Sequence, residues 1–175
     1  MIADRDPSST TIMGKQVIHT NLAPAPVGPY NQAIVATGKM LFVSGQIAID
    51  PTTNQLSHHG DVAKQTELVM SNLAAILTAA GATFNDVVKT GVFLKDMNDF
   101  TIVNGVYARY FNEATAPARA CVEVARLPKD VLVEIDCIAV IGDSATFTSS
   151  IYYGIPRADV KWLKDGSSLS DDNNK

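Results

Sequence analysis

The sequence predicts an α+β domain, a mixed β-sheet with two helices packed on one of its faces. Three observations predict it. Short runs of alternating apolar residues read as strands, two longer stretches carry apolar residues at helical spacing, and the order is β-β-β-α-β-α-β-β with a weak first strand. Two helices can cover only one face of such a sheet. The apolar positions of the other face have no third layer to bury them, so the sequence also predicts self-association.

Residues 1 to about 15 are polar, rich in Ser and Thr, and read as a flexible extension. Residues 16–19 form a short strand. In the loop NLAPAPVGPYNQ (residues 21–32), Pro24, Pro26, Pro29 and Gly28 exclude a helix and fix an ordered course around Tyr30. Residues 33–37 and 40–44 are β-type runs whose Gly38-Lys39 link reads as a hairpin turn. The second run continues through Ser44, Gly45 and Gln46. A glycine inside a strand pattern signals a bulge or the close approach of another group. Residues 51–60 (PTTNQLSHHG) are a polar loop. His58 and His59 are adjacent, so they point apart, and no carboxylate or thiol is spaced to join them in a metal site.

Asp61 is placed to cap a helix running to about Ala80. Val69, Leu73, Ile76 and Leu77 form its apolar stripe and Gly81 stops it. Residues 86–95 (DVVKTGVFLK) are nearly continuously apolar, as a buried central strand should be. Asn98 or Asp99 can cap a second helix, with Phe100, Val103, Tyr107, Tyr110 and Phe111 on one side and Asn104 one position off that stripe.

Residues 117–140 (PARACVEVARLPKDVLVEIDCIAV) read as two alternating strands around a turn at Leu127-Pro128-Lys129-Asp130. Arg119, Cys121 and Glu123 share one face of the first strand. Glu134 and Asp136 share a parity on the second. A register that pairs Arg126 with Val131 sets Glu123 opposite Glu134 and Cys121 opposite Asp136, collecting an arginine, a thiol and several carboxylates on one sheet face. The plainer alternative is a half-buried hairpin with its charges in solvent.

Composition narrows the function. A chain of 175 residues that is 46% hydrophobic supports one domain with a substantial core. The net charge of −4 and the lack of a basic block argue against nucleic acid as the main partner. No apolar run approaches the roughly 18 residues of a membrane span. The N-terminal segment lacks the hydrophobic core of a signal peptide. Cys121 and Cys137 do not make a disulfide framework, and a reducing cytoplasmic setting is expected.

Several strings occur in order from about Lys15 to Ile141: GPYNQA (28–33), SGQI (44–47), VVKTGVFLKDMNDF (87–100), Val103-Asn104, PARACVEVARLPKDV (117–131) and Glu134-Ile135. Together they resemble the RidA (YjgF) family of reactive-intermediate deaminases. The resemblance implies a chorismate-mutase-like α+β fold assembled as a homotrimer, with active sites in clefts between subunits. It implies hydrolysis of small-molecule 2-imino or enamine acids, such as 2-iminobutanoate and 2-iminopropanoate, to 2-oxo acids and ammonia, without a metal or organic cofactor. A ribonuclease or translation inhibitor, and a non-catalytic ligand-binding or chaperone-like trimer, are the alternative readings.

The resemblance also assigns residues. Arg119 matches the family's carboxylate-binding arginine, and a planar bidentate donor suits that task better than lysine; a surface salt bridge is the plain alternative. Glu134 matches the family's acid, which can orient water and carry a proton to nitrogen. Tyr30 is placed to pack on the substrate and donate through its hydroxyl; an aromatic packing anchor for its loop is the plain alternative. Ser44 and Asn104 are candidate polar contacts, although a helix-surface asparagine can simply be solvated. The backbone N–H groups of Gly45 and Cys121 are candidate donors to substrate oxygens. A nucleophilic Cys121 would need a base such as histidine, and none lies in the matched segments, so no covalent role is assigned. Arg126 is assigned a structural role, holding its turn or a neighbouring subunit. Between Asn104 and Arg119 the chain is shorter than the family pattern, and Ala116 stands where an aromatic often precedes the PAR string, which reshapes one wall of the cleft.

The chain therefore divides into an N-terminal extension (1–15), a RidA-like domain (16–141) and a C-terminal extension (142–175). In the last, Ala145, Phe147, Ser149 and Ile151 alternate ahead of Trp162, which resembles the B and C strands of an intermediate-set immunoglobulin domain. Too little follows to close a sandwich. A short helix over 156–164 ended by Gly166 is the rival local reading, and a weakly ordered appendage is expected in either case.

Overall fold

The computed structural model describes residues 11–12, 14–142, 163–164 and 167–168. The chain divides into two units, Met1–Asp143 and Ser144–Lys175. In the first unit the elements are β1 (Thr11–Ile12), β2 (Lys15–Ile18), β3 (Ala33–Ala36), β4 (Lys39–Gln46), β5 (Ile49–Asp50), β6 (Gln55–Leu56), α1 (Val62–Ala79), β7 (Val87–Leu94), α2 (Phe100–Tyr107), β8 (Ala118–Glu123) and β9 (Val133–Ile141). In the second, β10 (Leu163–Lys164) pairs antiparallel with β11 (Ser167–Ser168).

The main sheet has the order β4-β9-β7-β8. β7 and β8 are parallel, joined through α2, while β9 runs antiparallel to both of its neighbours, β4 and β7. The central place of β7 follows from its near-continuous apolar run, which needs a neighbour on each side. Along β7 the buried positions are Val87, Thr90, Val92 and Leu94; along β9 they are Val133, Ile135, Cys137 and Ala139. These face α1 and α2, whose Val69, Met70, Leu73, Leu77, Val103 and Tyr107 complete the core. Among the described residues the opposite face is uncovered: Met40 is 58% exposed, Phe42 68% and Val122 43%. This is the unpartnered face that the element order predicts.

Two hairpins predicted from local sequence do not form. β3 pairs with β2 in a small sheet of its own with β1, and not with β4. Gly38, at φ 149°, carries the chain from one sheet to the other where a side chain would meet the Ile141 carbonyl oxygen at 2.6 Å. Nor do β8 and β9 pair: β7 lies between them. Glu134 therefore stands opposite Phe93, Asp136 opposite Gly91, and Cys121 opposite Val92, so the facing carboxylates of the predicted register do not occur. The connection from Glu123 to Val133 is too long for a tight turn and long enough to cross one strand. Within it, Arg126 donates to both carboxylate oxygens of Asp130 at 2.7 and 3.0 Å, the turn-holding role assigned to it.

The helices start and stop for local reasons. The Lys64 backbone N–H donates to Asp61 Oδ1 at 3.0 Å, capping α1, and Gly81 at φ 73° ends it. α2 enters through a 3₁₀ turn, Met97–Asp99, in which Asp96 accepts from the Asn98 N–H at 2.8 Å; Asp99 precedes the helix but its side chain makes no cap bond. At the N-terminus, order begins earlier than predicted, since Thr11–Ile12 pairs with β2. Lys15 is buried, and its Nζ donates to the carbonyl oxygens of Asn85 (3.2 Å) and Val87 (2.6 Å), pinning the small sheet to the start of β7. Burial lowers its pKa to about 8, against the pull of Asp86.

The strand at Leu163–Lys164 excludes a helix reaching Lys164. The alternation over 145–151 and Trp162 lie outside the described residues. Among the described residues, no helix is long and apolar enough to cross a membrane.

Candidate active site

β8 is one of the sheet's two edge strands, and its register sets Arg119 opposite Thr90, a position that faces the helices. The guanidinium is half-buried there. Nη1 donates to Asn104 Oδ1 at 2.6 Å. Three rings surround its central carbon, with centroids at 5.0 Å (Tyr107), 5.3 Å (Tyr30) and 5.7 Å (Phe100). No carboxylate among the described residues forms an ion pair with it, so the surface salt bridge is not the reason it is here. Phe100, Asn104 and Tyr107 stand four and three residues apart on α2, which stacks them on one side of the helix. That spacing is visible in the sequence, but Phe100 and Tyr107 read there only as core, and Thr90 as an ordinary strand residue.

The proline-rich loop closes over this group. Gln32 Nε2 donates to the carbonyls of Thr20, Ala23 and Pro24, while the Asn31 amide donates to Ala116 O at 2.8 Å and the Asn31 backbone to Pro117 O at 3.1 Å. The Gln32 bonds brace the loop on itself, and the Asn31 bonds dock it against the segment entering β8. Tyr30 Oη accepts from the Val27 N–H at 3.2 Å, which leaves the phenol proton free to donate. A Cβ on Gly28 would lie 3.0 Å from Arg119 Nη2, so the loop backbone passes directly over the guanidinium. Cys121 is two residues along β8. Burial pushes its thiol up, with Arg119 acting in the opposite sense, and that is a poor setting for a thiolate nucleophile.

A second group lies elsewhere on the sheet. The register of β4 against β9 shifts between Val43 and Gln46, which makes Ser44-Gly45 a bulge. Glu134 packs onto it: a Cβ on Gly45 would collide with Glu134 Oε1 and lie 2.8 Å from its Cδ. Both alternatives read from Gly45, bulge and close approach, are present. Glu134 faces the uncovered side of the sheet, as does Asp136, which accepts from the Gly91 N–H at 2.8 Å.

The predicted site residues thus fall into two halves. Tyr30, Asn104, Arg119 and Cys121 gather at the β8 edge toward the helices. Ser44, Gly45 and Glu134 gather at the β4 edge on the other face. Gly45 and Cys121 lie on the two outermost of four strands, about 14 Å apart at ordinary strand spacing. The single sheet face carrying arginine, thiol and carboxylates is corrected accordingly: within one chain the strand insertion separates Arg119 from Glu134.

A profile of the family described as Endoribonuclease L-PSP matches residues 20–141. The chain belongs to the RidA/YjgF/L-PSP family. Among RidA relatives, a RutC family protein of Synechocystis sp. is 62% identical over 129 residues, 74% of this chain and 98% of that one. The 2-iminobutanoate/2-iminopropanoate deaminase of Escherichia coli K12 is 51% identical over 127 residues, 71% of this chain and 97% of that one. Among solved RidA-type structures, E. coli TdcF with bound serine is 46% identical, with a TM-score of 0.55 over 72% of this chain and 98% of that one. The E. coli YjgF gene product is 50% identical, with a TM-score of 0.54 over 71% and 97%. The family match ends with β9, so the C-terminal extension lies outside it.

Proposed function

We propose that this protein is a cofactor-independent hydrolytic deaminase of reactive 2-imino and enamine acids, 2-iminobutanoate and 2-iminopropanoate among them. We propose further that it works as a homotrimer whose sites join the β8 edge of one subunit to the Gly45–Glu134 group of the next. The observation that carries the reading is Arg119, a guanidinium ringed by aromatics and free of any carboxylate partner among the described residues. Such a cation is set to take a small planar carboxylate in a bidentate pair. The 51% identity to a deaminase of that name supports the substrate class.

The chemistry follows from the two halves. Arg119 holds the substrate carboxylate, with Tyr30 against it, and so fixes the neighbouring C=N carbon. Glu134 of a second subunit takes a proton from water as the water oxygen bonds to that carbon, and passes the proton to nitrogen. A second proton transfer, from the new hydroxyl to the amine through the same carboxylate, breaks the C–N bond. The 2-oxo acid and ammonia leave, and Glu134 ends ionised as it began. The backbone N–H groups of Gly45 and Cys121 are candidate donors to substrate oxygens across the subunit boundary.

In a coupled assay that generates 2-iminobutanoate, Arg119→Ala should abolish hydrolysis while the oligomer persists; full activity in that variant would remove the reading. The family's endoribonuclease description favours RNA as a second substrate. The net charge of −4 weighs against it, and salt-dependent RNA binding by the purified protein would revive it.

A further inference from the structure

Arg119 needs more than a charge to discriminate a carboxylate: its plane must be held. Asn104 holds one nitrogen, at 2.6 Å. The nearest ring is that of Tyr107, with its centroid 5.0 Å from Cζ. Tyr107 is fully buried and lies against Phe111, with ring centroids 4.6 Å apart. Its hydroxyl shares a 2.8 Å hydrogen bond with Thr90 Oγ1, and Thr90 is itself 1% exposed. Thr90 is also the residue that β7 places beside Arg119 on β8. One register position therefore carries both the cation and the anchor of the ring beneath it. Burial raises the Tyr107 phenol to about 12, so it stays neutral and its proton remains available to this bond.

We propose that Thr90 and Tyr107 form a positioning pair for Arg119: the Thr90 hydroxyl fixes the Tyr107 ring, and the ring fixes the plane of the guanidinium that receives the substrate carboxylate. Neither residue touches the reacting atoms. A buried hydroxyl in the middle of an apolar strand has to be satisfied, and here its partner is the ring that lies against Arg119, an arginine with no carboxylate partner among the described residues. A bond that served only the core would affect stability and leave ligand affinity alone. A positioning pair acts on carboxylate affinity and on KM, and leaves kcat largely intact, because the proton-transfer groups are elsewhere.

The proposal rests on the deaminase reading for its substrate, and the test separates the two. In the full-length protein, Thr90→Val, Thr90→Ser, Tyr107→Phe and Tyr107→Leu are compared by titration with 2-oxobutanoate and by kcat and KM for 2-iminobutanoate. Thermal melting establishes which variants are folded at the assay temperature. Loss of the bond in Thr90→Val or Tyr107→Phe should raise Kd and KM together by about three- to tenfold, with kcat within about twofold. Tyr107→Leu, which removes the π-face, should weaken binding by about tenfold or more. Thr90→Ser keeps the hydroxyl and should bind as the wild type does. The Thr90→Val/Tyr107→Phe double variant should be no weaker than the worse single variant, because both break one bond. Unchanged Kd in folded Thr90→Val and Tyr107→Phe proteins, or a fall in kcat at constant KM, would overturn the pair. So would failure of the wild type to bind 2-oxobutanoate at all. A wild type that binds 2-oxobutanoate but does not turn over the imine would instead end the deaminase reading, with the Kd series still deciding the positioning role.

Discussion

A methyl group at position 45 would occupy the space now taken by the Glu134 carboxylate. That makes Gly45 the residue on which the resting place of the proposed acid depends. The obstructing atoms belong to the end of a flexible side chain, so Gly45→Ala should cost little stability, within about 1 kcal/mol, while moving the carboxylate away. We expect kcat for imine hydrolysis to fall by about tenfold or more, checked by steady-state kinetics alongside the unfolding midpoint. Wild-type kcat would mean that Glu134 works from some other position. The sequence pointed to this contact because a glycine inside a strand pattern asks for an explanation. It did not point to Thr90 or Tyr107. A threonine in a strand and a tyrosine on a helix stripe are ordinary, and their relation to Arg119 appears only once β7 and β8 are laid side by side.

At the scale of elements, helices were legible and strand partners were not. Asp61, the apolar stripe and Gly81 specify α1 locally, and the apolar run of β7 specifies a central strand. Which strands neighbour it is a non-local choice that turn residues do not encode. The Leu127–Asp130 turn reads as a hairpin, yet β9 enters between β4 and β7 and gives β7 two partners. That one displacement moves Glu134 to the opposite face from Arg119. The parity that groups Arg119 with Cys121 survives, since it is a property of β8 alone. Another long-range contact carries a pH signature. Lys15, lowered from 10.5 to about 8, keeps fewer protons in the folded chain than in the unfolded chain between those values. Its contribution is therefore fully present above pH 10.5 and lost as the pH falls through about 8, so stability rises with pH across that window. Chemical unfolding from pH 7.5 to 10.5 should show this rise in the wild type relative to Lys15→Met. A pH-independent difference between the two would show that burial of the charge is not what sets the Lys15 contribution.

At the scale of the molecule, the sheet has one covered face and one on which Met40, Phe42 and Val122 are exposed, and the two halves of the proposed site lie on opposite edges. Association of identical chains addresses both facts: it buries the apolar face and can bring a β8 edge to a Gly45–Glu134 group. The RidA relatives are matched over 97–98% of their length, and the family match ends at residue 141. The central claim, that each site is shared between chains, has a direct test in subunit complementation. Arg119→Ala and Glu134→Gln proteins, each inactive alone, are co-refolded in equal amounts and assayed for hydrolysis of 2-iminobutanoate. If a site takes Arg119 from one subunit and Glu134 from its neighbour, random mixing leaves about one quarter of the sites intact, and about one quarter of wild-type activity should return. Mixed oligomers no more active than either parent would contradict a shared site.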